Sequence, residues 1–202
     1  MMALCLTLAG CGNREPGPAF SYDGQELQLR LANGEHVTLQ NGKCDKGFDG
    51  CIVHRFKGTI ANDQFYLVDI GYYEGGHHKL YSYKSGTGTV IYGQPHLSFQ
   101  EKLIATAVSD EMNDGSGVYL FEIANGEAKE IFRYKPKGYG LYRFDRWKGE
   151  SEAIIELTTM CRMDGKNEQL VTPVRLVNTP DGWQLDQGQG EACIASTYHP
   201  KS

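Results

Sequence analysis

Apolar side chains recur at every second position in several short runs of this chain, the period of a strand with one face covered. Leu27, Leu29 and Leu31 alternate with Gln28 and Arg30, Asn33-Gly34 follows, and Val37 and Leu39 return. Asn-Gly between two such runs predicts a hairpin closed by a type I′ turn, which needs positive φ at both central residues. The word Ala32-Asn33-Gly34-Glu35 is repeated as Ala124-Asn125-Gly126-Glu127, with Val118, Leu120 and Phe121 running in and Ile131 and Phe132 running out. The copies stand 92 residues apart (124 minus 32), close to two lengths of a four-stranded propeller blade at about 40 to 45 residues each.

Two more turns fall between and after these. Tyr81-Ser82-Tyr83 runs into Ser85-Gly86-Thr87-Gly88 and out through Val90-Ile91-Tyr92, and Val174 to Val177 runs into Thr179-Pro180-Asp181-Gly182 before Trp183. Hairpin tips are therefore expected near residues 33, 86, 125 and 181, at uneven spacing. Further strands are expected at Ile52 to Phe56, Phe65 to Ile70, Lys102 to Val108, Leu141 to Trp147 and Ala153 to Thr158. No stretch sustains the 3.6-residue period of a capped helix. The pattern is all-β: a small irregular β-propeller-like domain is the expected architecture, with a twisted β-sandwich as the alternative.

Composition narrows the class. With 20 Lys and Arg against 25 Asp and Glu, a net charge of −5 offers no basic balance to suit nucleic acid. The 25 glycines and 12 tyrosines suit many tight turns and half-buried strands. Beyond residue 11 no apolar run approaches the roughly 20 residues of a spanning helix.

The N-terminal residues carry a resemblance. Leu8-Ala9-Gly10-Cys11 resembles the bacterial lipobox, follows the apolar Met1 to Leu8, and precedes a polar run rich in Pro and Gly, Gly12 to Pro18. No Lys or Arg stands before Arg14, so the start of the signal is expected to lie upstream of Met1. The resemblance implies that residues 1–10 are a signal peptide, that Cys11 is diacylated, that residues 11–22 form a lipidated tether, and that residues 23–202 are a single β domain. Two or three acyl chains anchor a protein firmly where one does not. Gly12 rather than Asp after the cysteine implies the periplasmic face of the outer membrane rather than the inner membrane.

Export removes Cys5 and commits Cys11 to lipid, which leaves Cys44, Cys51, Cys161 and Cys193, an even set in an oxidising compartment. Three pairings are open. Local spacing favours Cys44 with Cys51 and Cys161 with Cys193, and the absence of Cys-x2-Cys pairs argues against zinc.

Within residues 65 to 123 a second resemblance appears. Gly71-Tyr72-Tyr73-Glu74-Gly75 followed by Gly93-Gln94-Pro95-His96-Leu97-Ser98 resembles the blade transition of propeller-like bacterial envelope proteins, in which Pro-x-Phe-Ser-Pro-Asp-Gly precedes an apolar strand. Here Leu97 replaces the Phe, Phe99 the second Pro, and Gln100-Glu101 the Asp-Gly.

Candidate chemistry is sparse. His77 and His78 are adjacent, and neighbours on a strand point to opposite faces, so they do not share a metal without a bulge. Asp110-Glu111-Met112-Asn113-Asp114-Gly115 fails as a calcium loop because Met112 stands at a ligand position and Phe121 where the closing Glu belongs. There is no Gly-x-Ser-x-Gly elbow, Walker loop or His-Glu-x-x-His, and no cofactor or metal is expected. Aromatic residues beside glycines or basic residues make better surface candidates: Tyr72, Tyr73, Tyr139, Tyr142 and Trp147, with Lys135, Lys137 and Tyr139 together in the loop-like Lys135-Pro136-Lys137-Gly138-Tyr139-Gly140. The expectation is a non-enzymatic, membrane-anchored lipoprotein whose partner is another, periplasmic protein, similar in type to immunity or inhibitor proteins that block envelope hydrolases. A scaffold in outer-membrane assembly and a hydrolase with a scattered site are the alternatives.

Overall fold

The computed structural model describes residues 17–42, 51–73, 75–109, 116–136, 141–163 and 166–186. The alternation of the sequence becomes fifteen strands among the described residues, with no helix, in four antiparallel sheets. Each sheet is a meander of consecutive strands. The first holds β1 (Ala19–Asp23), β2 (Glu26–Arg30) and β3 (His36–Gln40). The second holds β4 (Val53–Ile60), β5 (Phe65–Tyr72), β6 (Gly75–Ser82) and β7 (Gly88–Ile91). The third holds β8 (His96–Leu97), β9 (Leu103–Val108), β10 (Gly117–Ala124) and β11 (Glu127–Tyr134), and the fourth β12 (Leu141–Trp147), β13 (Glu152–Met163), β14 (Lys166–Thr179) and β15 (Gly182–Asp186).

Strand side chains alternate between faces, so the two central sheets serve two cores each. On β5, Tyr66, Val68 and Ile70 meet Leu27 and Leu29 of the first sheet, while Phe65 and Leu67 meet Ile104, Tyr119 and Phe121 of the third. On β10 the same division holds: Tyr119 and Phe121 face the second sheet, and Val118 and Leu120 face Tyr142, Ile155, Leu157 and Val174 of the fourth. Three cores between four successive sheets, among the described residues, make a row. Single side chains pin neighbouring sheets together. The buried Tyr66 hydroxyl accepts from the Ala19 amide at 3.0 Å and donates to the Arg30 carbonyl, and the Trp147 indole donates to the His96 carbonyl at 3.1 Å.

All four expected tips exist, and each joins the last two strands of its sheet: β2–β3, β6–β7, β10–β11 and β14–β15. The five further strands are present as β4, β5, β9, β12 and β13. Two expectations need correction. Asn33-Gly34 does not form a type I′ turn: Gly34 has φ 86° but Asn33 does not have positive φ, and β2 and β3 meet at Arg30 and His36 across a five-residue loop. The stretch expected as tether also ends early, because β1 begins at Ala19 and pairs with β2. The physical reason is aromatic: the Phe20 ring lies 3.9 Å from that of Phe56, and the Tyr22 hydroxyl accepts the Phe56 amide at 3.0 Å.

Candidate functional site

A cleft of about 550 Å³ opens at the end of the second sheet opposite its β6–β7 tip, where it borders Gly93 and Val108 beside the third sheet. Strand register builds its wall. Arg55 pairs with Asp69, Asp69 with His78, and His78 with Ile91, so these four side chains cross the sheet in one row on the face toward the third sheet.

That row exists because of a bulge. Near the β4–β5 loop, Ile60 pairs with Phe65 and Gly58 with Leu67, but the register slips between Phe56 and Gly58, leaving Lys57 as the extra residue. Without the slip Arg55 would stand opposite Ile70 and point to the other face. Gly58 takes φ 143° at this point, a conformation suited to glycine.

Within the row, His78 Nδ1 approaches Asp69 Oδ1 to 3.2 Å, close enough for an ion pair but not aligned as a hydrogen bond. Burial holds the His78 imidazole below the ordinary histidine range; Asp69 works against this and Lys57 with it. Arg55 makes no ion pair or hydrogen bond among the described residues. A Cβ built on Gly71 would lie 3.8 Å from its Nη1, so the guanidinium reaches along the wall to the level of Gly71, one residue below Tyr72. On the opposite face of the same strands His54, Ile70 and His77 form a second row. The His54 amide donates to Asn41 Oδ1 at 2.6 Å. The His77 imidazole is also held below the ordinary range, first by burial and then by Lys79 and His78, and register sets the two adjacent histidines on opposite faces. No group of metal-ligating side chains assembles among the described residues.

Tyr72 and Tyr73 sit at the β5–β6 turn on the rim of this cleft, 45% and 61% exposed, and the Tyr72 ring lies 5.4 Å from that of His77. Gly76 keeps the two strands close there: a Cβ on it would come within 2.6 Å of the Ile70 carbonyl oxygen. Lys135 follows the end of β11, and its Cα lies beside Gly117, which pairs with the cleft residue Val108. Register therefore brings two of the expected contact regions to the same end of the molecule. Tyr142 and Trp147 are not surface residues: both are buried in the core between the third and fourth sheets, because their strand turns them inward. Lys137 and Tyr139 lie outside the described residues, as do Cys11, Cys44, Cys193 and residues 110–115. Cys51 lines the cleft and is not a free thiol, while Cys161 falls on β13.

The Arg55, Asp69 and His78 row escaped sequence reasoning. Fourteen residues separate the first two (69 minus 55), and nothing but the bulge places them on one face. The glycines at 71, 75, 76 and 93 were the available signal, since they bare backbone where a ligand approaches. No family model, curated protein or solved structure matches this chain.

Proposed function

We propose that this protein is a lipid-anchored envelope lipoprotein that binds another protein stoichiometrically through the end carrying the cleft. In this reading the lipobox at Leu8-Ala9-Gly10-Cys11 supplies the anchor at the periplasmic face of the outer membrane, and the four meanders are consecutive units of a small, irregular, propeller-like domain. One local feature supports the likeness. In the family run that Pro95 to Glu101 resembles, the last position is Gly, and Glu101 takes φ 56° there, in a turn where the Leu103 amide donates to Ser98 Oγ at 3.2 Å. Within the binding class, an immunity or inhibitor protein directed at an envelope hydrolase fits a domain with exposed aromatic anchors.

The observation that carries the proposal is the pair Tyr72 and Tyr73, large side chains left in solvent on a glycine-backed turn beside a charged cleft. Rings so placed offer contact area with little side-chain entropy to lose. Affinity capture from periplasmic extract should show Tyr72→Ala and Tyr73→Ala each weakening the captured complex by about 1 to 2 kcal/mol. Folding stability should stay within about 0.5 kcal/mol, because both side chains are exposed. Unchanged affinity in both variants defeats the reading. For the anchor, Cys11→Ser should move the protein from the membrane to the soluble fraction with its circular dichroism unchanged. A wild-type protein without acyl chains, expressed from an upstream start, removes that part of the proposal.

A further inference from the structure

The protein as a whole is acidic, at −5, while the described lining of its cleft sets one arginine, Arg55, against one carboxylate, Asp69. Arg55 presents its guanidinium at the level of Gly71, just under the rim, without an ion pair among the described residues. Among the described residues lining the cleft the one carboxylate is Asp69, with His78 Nδ1 3.2 Å from it, and Lys57 stands close enough to His78 to act on its charge. Lys135 lies beside Gly117 at the same end. Among the described residues, an approaching group therefore meets the Arg55 guanidinium without an ion pair, beside glycine backbone, at the strand end where the Tyr72 ring covers the opposite face with His77.

From this juxtaposition we infer that the cleft receives a carboxylate side chain, a Glu or Asp on an acidic segment of the protein partner, with Arg55 as its primary contact and the partner chain lying across Tyr72 and Tyr73. The inference rests on the protein-binding reading and adds the chemistry of the segment bound. Three features select this occupant. The guanidinium fork matches a carboxylate in two parallel hydrogen bonds, and such bonds are shorter and stronger than neutral ones. Its position one strand residue below the rim, about 3.3 Å, lets a short acidic side chain reach it from a segment that crosses the β5–β6 turn, with the Tyr72 ring on the far side of that turn. The bulge at Lys57 turns Arg55 onto this face in the first place, and such bulges recur where a side chain must be re-aimed toward a site. Asp69 opposes an anion, so its removal should help rather than harm, which separates this reading from one in which Asp69 captures a basic segment.

The probe is triglutamate blocked by acetyl and amide groups, titrated into the full-length soluble Cys11→Ser protein and followed by backbone and imidazole NMR. Blocked triglutamine and trilysine serve as controls. Triglutamate should shift Gly71, Tyr72, Gly76 and His78 in a saturable way, and the controls should not. Arg55→Gln should weaken binding at least tenfold, Arg55→Lys should restore part of it, and Asp69→Asn should tighten it. Arg55 is exposed, so these variants keep the fold, as an unchanged melting temperature will check. Equal binding of triglutamine, preference for trilysine, or indifference to Arg55→Gln overturns the inference. Partner capture that survives Arg55→Gln but fails with Tyr72→Ala would overturn the carboxylate site while leaving the binding module standing. Failure of both tyrosine variants to matter would strike the broader reading instead.

Discussion

The same four residues, Ala-Asn-Gly-Glu, close two hairpins in this molecule and do so in two different ways. At Ala124 to Glu127 the strands meet directly, Ala124 opposite Glu127, and both Asn125 (φ 56°) and Gly126 (φ 79°) take the positive φ of a type I′ turn. At Ala32 to Glu35 the loop has five residues and only Gly34 is left-handed. The difference follows from register. A two-residue turn at Asn33-Gly34 would place Leu29 opposite Thr38 and Leu27 opposite Gln40, sending Val37 and Leu39 to the face away from the leucines. The observed loop sets Leu29 opposite Val37 and Leu27 opposite Leu39, so all four join one core. A one-residue slip flips every side chain, and burial of that many apolar groups outweighs a turn preference of about 1 kcal/mol.

The second hairpin solves the same problem further along. Its turn keeps the preferred geometry, Ile123 meets Ala128, and then a bulge between Leu120 and Phe121 changes the register. Ile131 is the extra residue, and beyond it Phe132 and Tyr134 cross to the opposite face, where they pack against the core shared with the fourth sheet. β11 thus begins in one core and ends in another. The first hairpin serves a single core and needs no such crossing.

The largest effect expected from this contrast is at the leucines. Leu29→Ala, at a fully buried position, should cost about 3 kcal/mol in urea unfolding, the middle of the range for a buried leucine truncation. Deleting Ile131 altogether should cost no more than about 1 kcal/mol, because Glu130 and Phe132 would then alternate as neighbours on a regular strand and every inward side chain keeps its core. A deletion at Ile131 that unfolds the protein would show that the bulge itself is required and that register is not what it supplies.

Much of this fold was legible because burial imprints a pattern: a two-residue period where one face is covered, as in Leu27 to Leu31, and an unbroken apolar run where both are, as in Phe65 to Val68. The positions of all four tips followed from turn residues. What the sequence could not show was register, since that depends on which apolar set finds a partner. The same ignorance hid the Arg55, Asp69 and His78 row: their spacing along the chain matches no motif, and the slip at Lys57 that aligns them leaves no mark beyond one glycine. Tyr72 and Tyr73 were legible as surface because they stand in a turn between glycines, where a strand has no face to bury them.

The smallest expected effect separates the two asparagines. Gly34→Ala and Gly126→Ala should cost the same, about 1 kcal/mol each, because both glycines are left-handed and neither site crowds a methyl group. The asparagines should not behave alike. Asn125 is itself left-handed, a conformation asparagine tolerates and alanine does not, so Asn125→Ala should also cost about 1 kcal/mol. Asn33 is not, and its side chain instead accepts the Glu35 amide at 3.0 Å and donates to the Glu35 carboxylate at 2.8 Å, both in solvent. Losing such exposed bonds should cost about 0.5 kcal/mol or less. Parallel thermal melts of the four variants test the distinction directly. Equal losses at Asn33 and Asn125 would mean that the first loop has adopted the tight turn in solution, and that the leucine register does not govern it.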